Sequence, residues 1–391
     1  MRRINRFGLY ALGLLLLAAA GQARPGENPA RPKRNVIMIV GDGMGLAAVA
    51  HARIQKYGAG PEAGRLHMER LPVLGYIYTS SADALVTDSA AAGTALFAGE
   101  KTNRGCLGVD ATGKHLKTVF EEAGELGLAV GVLTTVPITH ATPAATYAHV
   151  NKRRDYEEIF NWLLRSKFQV LLGAGKTPDN RYLPADFAVR AREAGFAVCQ
   201  TAEELAALQR GPVLGVFGRE SLAYEFDRRE KPSDDPHLAD LVTKALNLLA
   251  SDPEGFALMV EGGSIDSAAH EGHFGRLQEE TLELDRSVAL VCDWVEKHSS
   301  WEETLLVVTA DHETGELAIR DPRPDEEQDA YNGSAQANLP AAGKPAGCRF
   351  GSAAHSAVPV MLFARGTGSE LLAGVRDNTE VYRALRARLK K

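Results

Sequence analysis

Cysteine is scarce in this chain, with four in 391 residues: Cys106, Cys199, Cys292 and Cys348. Their spacings match no zinc-finger pattern, which excludes a small cysteine-ligated metal module. One or two disulfides stay open, with a pairing that sequence does not determine. Basic excess is also lacking. The formal net charge is −6, so nucleic acid is not expected as a dedicated partner. Low-complexity blocks and internal repeats are missing, and the composition is that of a globular protein long enough for one large domain or two smaller ones. Apolar runs long enough to cross a membrane are missing as well.

The N-terminus comes nearest to such a run. Arg2, Arg3 and Arg6 form a basic start, Gly8 to Ala20 is apolar, and small residues follow to Ala23. This is the pattern of a signal peptide over residues 1–23, cut after Ala23 or Ala20. Read otherwise, it is an uncleaved N-terminal anchor. Cleavage removes three Arg and no acid, leaving 41 basic against 50 acidic side chains, a net charge of −9. Such a chain is exported, to a periplasm or beyond, and keeps no stable membrane span. Residues 24–34 are polar with three Pro and read as a linker.

What is present from residue 35 onward is alternation. Continuous apolar runs at 35–40, 128–133, 256–260 and 304–309 suit buried parallel strands, and helical spacing lies between them. The expected fold is a three-layer α/β/α sandwich with a mostly parallel central sheet. Between Arg320 and Gly351 the pattern breaks into Pro, Gly, Asp and Asn, which reads as a small insertion over about 320–350.

The best apolar runs end in groups that bind metals. Asp42 follows the first, inside Gly41-Asp42-Gly43-Met44-Gly45. Glu261 and Asp266 follow the run ending at Val260, and His270 lies four residues beyond Asp266. Asp311 and His312 follow Thr309, and His355 precedes the last strand. In open α/β sheets the carboxyl edge is where ligands bind, so these side chains converge there. Mixed His and carboxylate donors suit zinc, and all-oxygen positions suit magnesium. Singly, each is an ordinary turn residue or surface histidine; His51, His67, His115, His237 and His298 read that way. One more stretch points to the same edge. Asp88-Ser89 precedes Ala90-Ala91-Ala92, so a capped helix begins near Ser89 and sets its hydroxyl at an anion-binding helix end.

Taken in order, these segments, with His140-Ala141-Thr142-Pro143, resemble the alkaline phosphatase family along nearly the whole mature chain. The resemblance implies hydrolysis of phosphate monoesters through a phosphoserine. It implies Ser89 as the nucleophile, seated at a zinc ion held by Asp42, Asp311 and His312. A second zinc falls to Asp266, His270 and His355. A third ion, normally magnesium, falls to Asp42, Thr142 and Glu261. Arg153, rather than the adjacent Arg154, takes the phosphate-binding position, with Asp88 to orient it and His140 beside it. The insertion at 320–350 corresponds to a reduced crown, and the family resemblance implies a homodimer. Two positions depart from the best-known bacterial members, which carry Asp in place of His140 and Lys in place of Ser267, so the surroundings of the third ion differ here. Two other readings remain: a phosphodiesterase or sulfatase of the same superfamily, and an exported phosphate- or metal-binding protein without turnover.

Overall fold

An apolar strand with no polar face must be covered on both sides, and the four runs named above are. In the computed structural model, residues 32–320 (apart from 61 and 180) and 347–390 are described. Residues 1–23, expected as a signal peptide, most of the expected linker and residues 321–346 of the expected insertion lie outside the described residues. Along the chain the first strands are β1 (Asn35–Gly41), β2 (Val73–Tyr78), β3 (Ala129–Pro137), β4 (Val170–Ala174), β5 (Ala197–Cys199) and β6 (Val213–Val216). Then come β7 (Phe256–Gly262), β8 (Thr304–Ala310), β9 (Glu313–Thr314), β10 (Ala318–Arg320), β11 (Gly347–Arg349), β12 (His355–Ser356), β13 (Val360–Gly366) and β14 (Gly374–Asp377).

Among the described residues, ten of these form one sheet in the order β14-β2-β13-β8-β1-β7-β3-β4-β6-β5. All neighbours in it run parallel except β13, which is antiparallel to both β2 and β8. Every residue of β1, β3, β7 and β8 is buried. Register decides where the ligand-bearing loops emerge. Val40 of β1 lies level with Glu261 of β7 and Thr309 of β8, and Thr134 of β3 is level with Glu261. β1, β7 and β8 thus end together, β3 runs on to Pro137 beside them, and the residues that follow share one edge.

The helices are α1 (Leu46–Tyr57), α2 (Ser89–Ala98), α3 (Val119–Glu125), α4 (Ala141–Ala144), α5 (Tyr156–Arg165), α6 (Phe187–Glu193), α7 (Ala202–Ala207), α8 (Leu238–Leu249), α9 (Ser264–His270), α10 (Phe274–His298) and α11 (Thr379–Lys390). Packing sorts the larger ones into two groups. Helix α10 lies against α1, α8 and α9, and α11 lies against α2 and α3. These are the outer layers of the sandwich. No described helix is long and apolar enough to cross a membrane.

Three features differ from the sequence reading. The four cysteines are all unbridged. Strand β14 was not expected, because an edge strand of Gly-Val-Arg-Asp needs no apolar run. Helix α9 was not expected either, although its Asp266 and His270 at i and i+4 share one helix face.

Candidate metal and catalytic site

Asp42 and Asp311 leave β1 and β8 at the common edge and are fully buried, as are His312 and Glu261. The turn after β1 depends on Gly43. It has φ +67°, and a Cβ there would fall 2.6 Å from Asp266 Oδ1 and 2.7 Å from Thr314 Oγ1. Only glycine lets the first strand pass so close to the carboxylate on α9. The Gly43 N–H also donates to Asp311 Oδ1 at 3.1 Å, tying the β1 and β8 loops together.

Helix α2 brings the serine in. Asp88 is its N-cap, with extended backbone (φ −116°, ψ 167°) and Oδ1 accepting the Ala91 N–H at 3.1 Å. Ser89 is the first helical residue and is only 2 % exposed. All ten residues of the helix are buried, and the first seven are Ser, Ala, Gly or Thr, small enough for close packing at the site. The Ser89 hydroxyl lies 3.3 Å from His312 Nε2. That same nitrogen is 3.4 Å from Asp42 Oδ1 and 3.4 Å from Asp311 Oδ2.

The histidines share one hydrogen-bond logic. Thr314 Oγ1 donates to Asp266 Oδ1 at 2.5 Å, so it must accept from His312 Nδ1 at 3.2 Å. His355 Nδ1 donates to the Thr87 carbonyl at 3.0 Å, and His270 Nδ1 to the Ala353 carbonyl at 2.7 Å. In each ring Nδ1 is anchored outward, which leaves Nε2 as the inward donor atom. His270 Nε2 is 3.2 Å from Asp266 Oδ2 and 3.2 Å from His355 Nε2. The His312 and His355 rings stack with centroids 3.6 Å apart. Ligand atoms of Asp42, Asp311 and His312, and separately those of Asp266, His312 and His355, lie within 4.8 Å of one another.

His140 is arranged differently. Its Nε2 is 3.1 Å from Arg153 Nη2. A guanidinium only donates, so Nε2 must accept and Nδ1 must carry the proton. His140 therefore steadies Arg153 here, although it lies close to Asp42 and Glu261. Asp88 Oδ2 accepts from Arg153 Nη1 at 3.0 Å, and Asp88 also takes the Gly105 N–H. The structure thus brings Arg153 to the serine loop and leaves Arg154 exposed. Thr142 Oγ1 is 3.5 Å from Asp42 Oδ2, and Thr134 donates a short hydrogen bond to Glu261. Thr134 and Thr314 were missed as site residues in the sequence. Thr314 lies two residues after His312, but its role depends on α9 and on the pairing of β9 with β12, where it faces His355.

The electrostatics follow from burial. Burial pushes Asp42 well above the ordinary carboxylate range, and Asp311 and Asp266 add to it. Burial raises Glu261 to about 7 and Asp311 to about 6. Burial also works on Asp266, but the hydrogen bond from His270 and the charges of His312, His270 and His355 outweigh it and hold that group far below the ordinary value. Its partner His270 rises to about 9 through that hydrogen bond. Burial takes His312 down to about 4, and burial with the Arg153 charge takes His140 to about 3. Three buried carboxylate oxygens, Asp42 Oδ1, Glu261 Oε1 and Asp311 Oδ2, have no hydrogen-bond partner. Unpaired buried carboxylates cost several kcal/mol each. Cations of the size and charge of zinc or magnesium would satisfy all three, and the donor atoms present fit them.

Fold and cluster together define an α/β protein of the metal-ion class, with ligands on one sheet edge and a serine at a helix end among them. The family model "Alkaline phosphatase" matches residues 33–338. The chain belongs to the alkaline phosphatase family, whose members are metal-dependent. Alkaline phosphatase 4 of Bacillus subtilis (strain 168) is 36% identical over 298 residues, which are 73% of this chain and 62% of that protein. The chain thus spans less than two thirds of that relative's length. Streptomycin-6-phosphate phosphatase of Streptomyces griseus is 32% identical over 450 residues, covering 99% of this chain and 97% of that protein. The crystal structure of a cold-active alkaline phosphatase from a psychrophilic Shewanella sp. superposes with a TM-score of 0.79 at 27% identity, covering 91% of this chain and all of that one.

Proposed function

We propose that this protein is an exported phosphomonoesterase that passes the phosphoryl group through Ser89. The observation that carries the reading is the meeting of the Ser89 hydroxyl with His312 Nε2 at 3.3 Å, inside a ring of ligand atoms and beside an arginine fixed by Asp88. Asp42, Asp311 and His312 would hold one zinc, Asp266, His270 and His355 a second, and Asp42, Thr142 and Glu261 a magnesium. When bound, these ions supply positive charge that acidifies the Ser89 hydroxyl and steadies the leaving oxygen.

The chain's own residues do the rest. Arg153 offers its free N–H groups to two phosphoryl oxygens, while Asp88 and His140 hold its guanidinium from behind. The start of α2 adds a favourable dipole and free N–H groups toward the same anion. Ser89 Oγ bonds to phosphorus as the ester P–O bond breaks, and the alcohol leaves. Water then attacks the phosphoserine, releasing phosphate and returning the serine. His270, whose side chain is 38% exposed, marks the solvent side by which alcohol and water pass.

The single experiment compares p-nitrophenyl phosphate with bis(p-nitrophenyl) phosphate. The monoester is expected to win in kcat/KM by about 10²-fold or more, because it keeps a third unsubstituted phosphoryl oxygen and a second negative charge for the cluster beyond the two oxygens that meet Arg153, whereas the diester puts a bulky aryl ester in that place. Preference for the diester would establish the phosphodiesterase reading. No turnover of either would establish the binding-protein reading.

Export rests on the pattern of residues 1–23. We also take the protein to be a homodimer. Support comes from one apolar face of the sheet edge. Leu74, Tyr76 and Tyr78 of β2 are 48%, 39% and 53% exposed, beside Val375 of β14 at 58%. Val375 and Met361 flank Tyr76 in register across three strands. An uncovered apolar sheet face of this kind suits a second copy of the same face. Tyr76→Arg is expected to convert dimer to monomer in sedimentation; a wild type that sediments as a monomer would remove this reading.

A further inference from the structure

Away from the sheet edge, the described residues hold another place where metal-type donors converge. Ligand atoms of Glu225, His237 and Glu283 lie within 4.8 Å of one another. They come from three parts of the chain: the turn before Asp227, the N-cap of α8 and the middle of α10. His237 Nδ1 is 2.8 Å from both carboxylate oxygens of Glu225. Glu283 Oε1 accepts the Ala239 N–H at 2.9 Å. Glu280, one turn earlier on α10 and 5% exposed, accepts the Glu225 N–H at 2.8 Å through Oε1.

The charges around these groups do not balance. Arg228 is the buried cation, and most of its donors are already used. Its guanidinium donates to the carbonyls of Ala223, Ser233, Asp235 and Pro236, with only Nε also near Glu225 at 3.3 Å. Arg286 approaches Glu283 at 3.5 Å, but its side chain is 63% exposed, so water weakens that pair. Of the cations set around these carboxylates only Arg228 is shielded and it is largely committed, while Lys56, Arg229 and Arg286 stand exposed at the rim of the cavity that Glu225 and Glu283 also line. Burial accordingly pushes Glu280 up to about 8 and raises Glu283. The deficit must be met by protons or by a cation. One imidazole nitrogen among carboxylate oxygens suits zinc, whereas calcium and magnesium select oxygen alone.

We propose that Glu225, His237 and Glu283, with Glu280 behind them, bind one zinc ion that is separate from the catalytic cluster. The ion replaces the proton on His237 Nδ1 and fastens the start of α8 and the Glu225 turn onto α10. That helix begins four residues after His270, so the ion braces the wall of the candidate active site without touching it.

The test counts zinc. The full chain and two variants are saturated with zinc, freed of excess by gel filtration and measured by elemental mass spectrometry. His237→Ala removes a side chain that is 40% exposed, and Glu283→Gln keeps shape and removes charge. Each variant is expected to carry one zinc fewer than wild type, with turnover of p-nitrophenyl phosphate unchanged. Equal zinc in wild type and His237→Ala overturns the site and leaves a network shared among protons and arginines. If Glu283→Gln gives no cooperative melt, His237→Ala decides alone.

Discussion

Replacement of Ser89 by Ala is expected to lower kcat for p-nitrophenyl phosphate by about 10³-fold or more. The size follows from what the hydroxyl alone can do. Ser89 is buried at the start of α2, and its oxygen lies 3.3 Å from a histidine nitrogen that also meets Asp42 and Asp311. No neighbouring side chain in that helix can replace it, because Ala90, Ala91 and Ala92 follow. Folding should be spared. Ala is the best helix former, and the cap belongs to Asp88, so the melting temperature should barely change. Two readouts separate nucleophile from bystander. Acid quenching of wild type with labelled substrate should trap phosphate on Ser89, and the variant should trap none. Phosphate binding should persist in the variant through Arg153. A variant with wild-type turnover would end the phosphoserine mechanism, whatever the protein then proves to hydrolyse.

How much of this could be read in advance follows from what each residue's position depends on. The strands β1, β7 and β8 were legible because a strand buried on both faces leaves a continuous apolar run, and Asp42, Glu261 and Asp311 sit directly after such runs. The cap at Asp88 was legible because it is local. His355 was legible from its place just before the last strand and gained its role from motif resemblance, since β12 itself is only two residues long. The supporting hydrogen bonds were beyond reach. Thr314 meets Asp266 across 48 residues of sequence, and His270 meets Ala353 across 83. Nothing in local composition marks either contact. The Glu225–His237–Glu283 cluster shows the same limit from the other side. His237 reads as an ordinary surface histidine until the fold sets it beside two glutamates.

Removing the metals should make the protein's stability depend on pH in a direction that can be worked out. Asp42, Asp311 and Glu261 are raised above the unfolded carboxylate value near 4, with Asp311 at about 6 and Glu261 at about 7. Such groups hold more protons folded than unfolded, so stability falls as pH rises toward their folded values. His270, raised to about 9, contributes stability that is full below its unfolded value of about 6.5 and is lost as pH climbs through 9. The depressed imidazoles His140, His312 and His355 act oppositely, but only below that unfolded value. Asp266, depressed, contributes stability that disappears only at low pH. Between about pH 6.5 and 8.5 the raised groups therefore decide, and the chelated protein should melt lower as pH rises. Ions do the reverse. Binding must displace protons from Glu261, His270 and Asp42, and each proton displaced raises apparent affinity about tenfold per pH unit. The gap in melting temperature between the zinc- and magnesium-loaded protein and the chelated one should widen steadily across that window. Groups outside the cluster, Glu280 among them, titrate in the chelated and loaded forms alike as long as their own surroundings are unchanged, so they drop out of the gap; running the series in the His237→Ala background keeps the proposed second zinc from contributing. A gap that stays constant or narrows would mean that the unpartnered oxygens of Asp42, Glu261 and Asp311 are met by protons in the working protein, and that the cluster is not a metal centre.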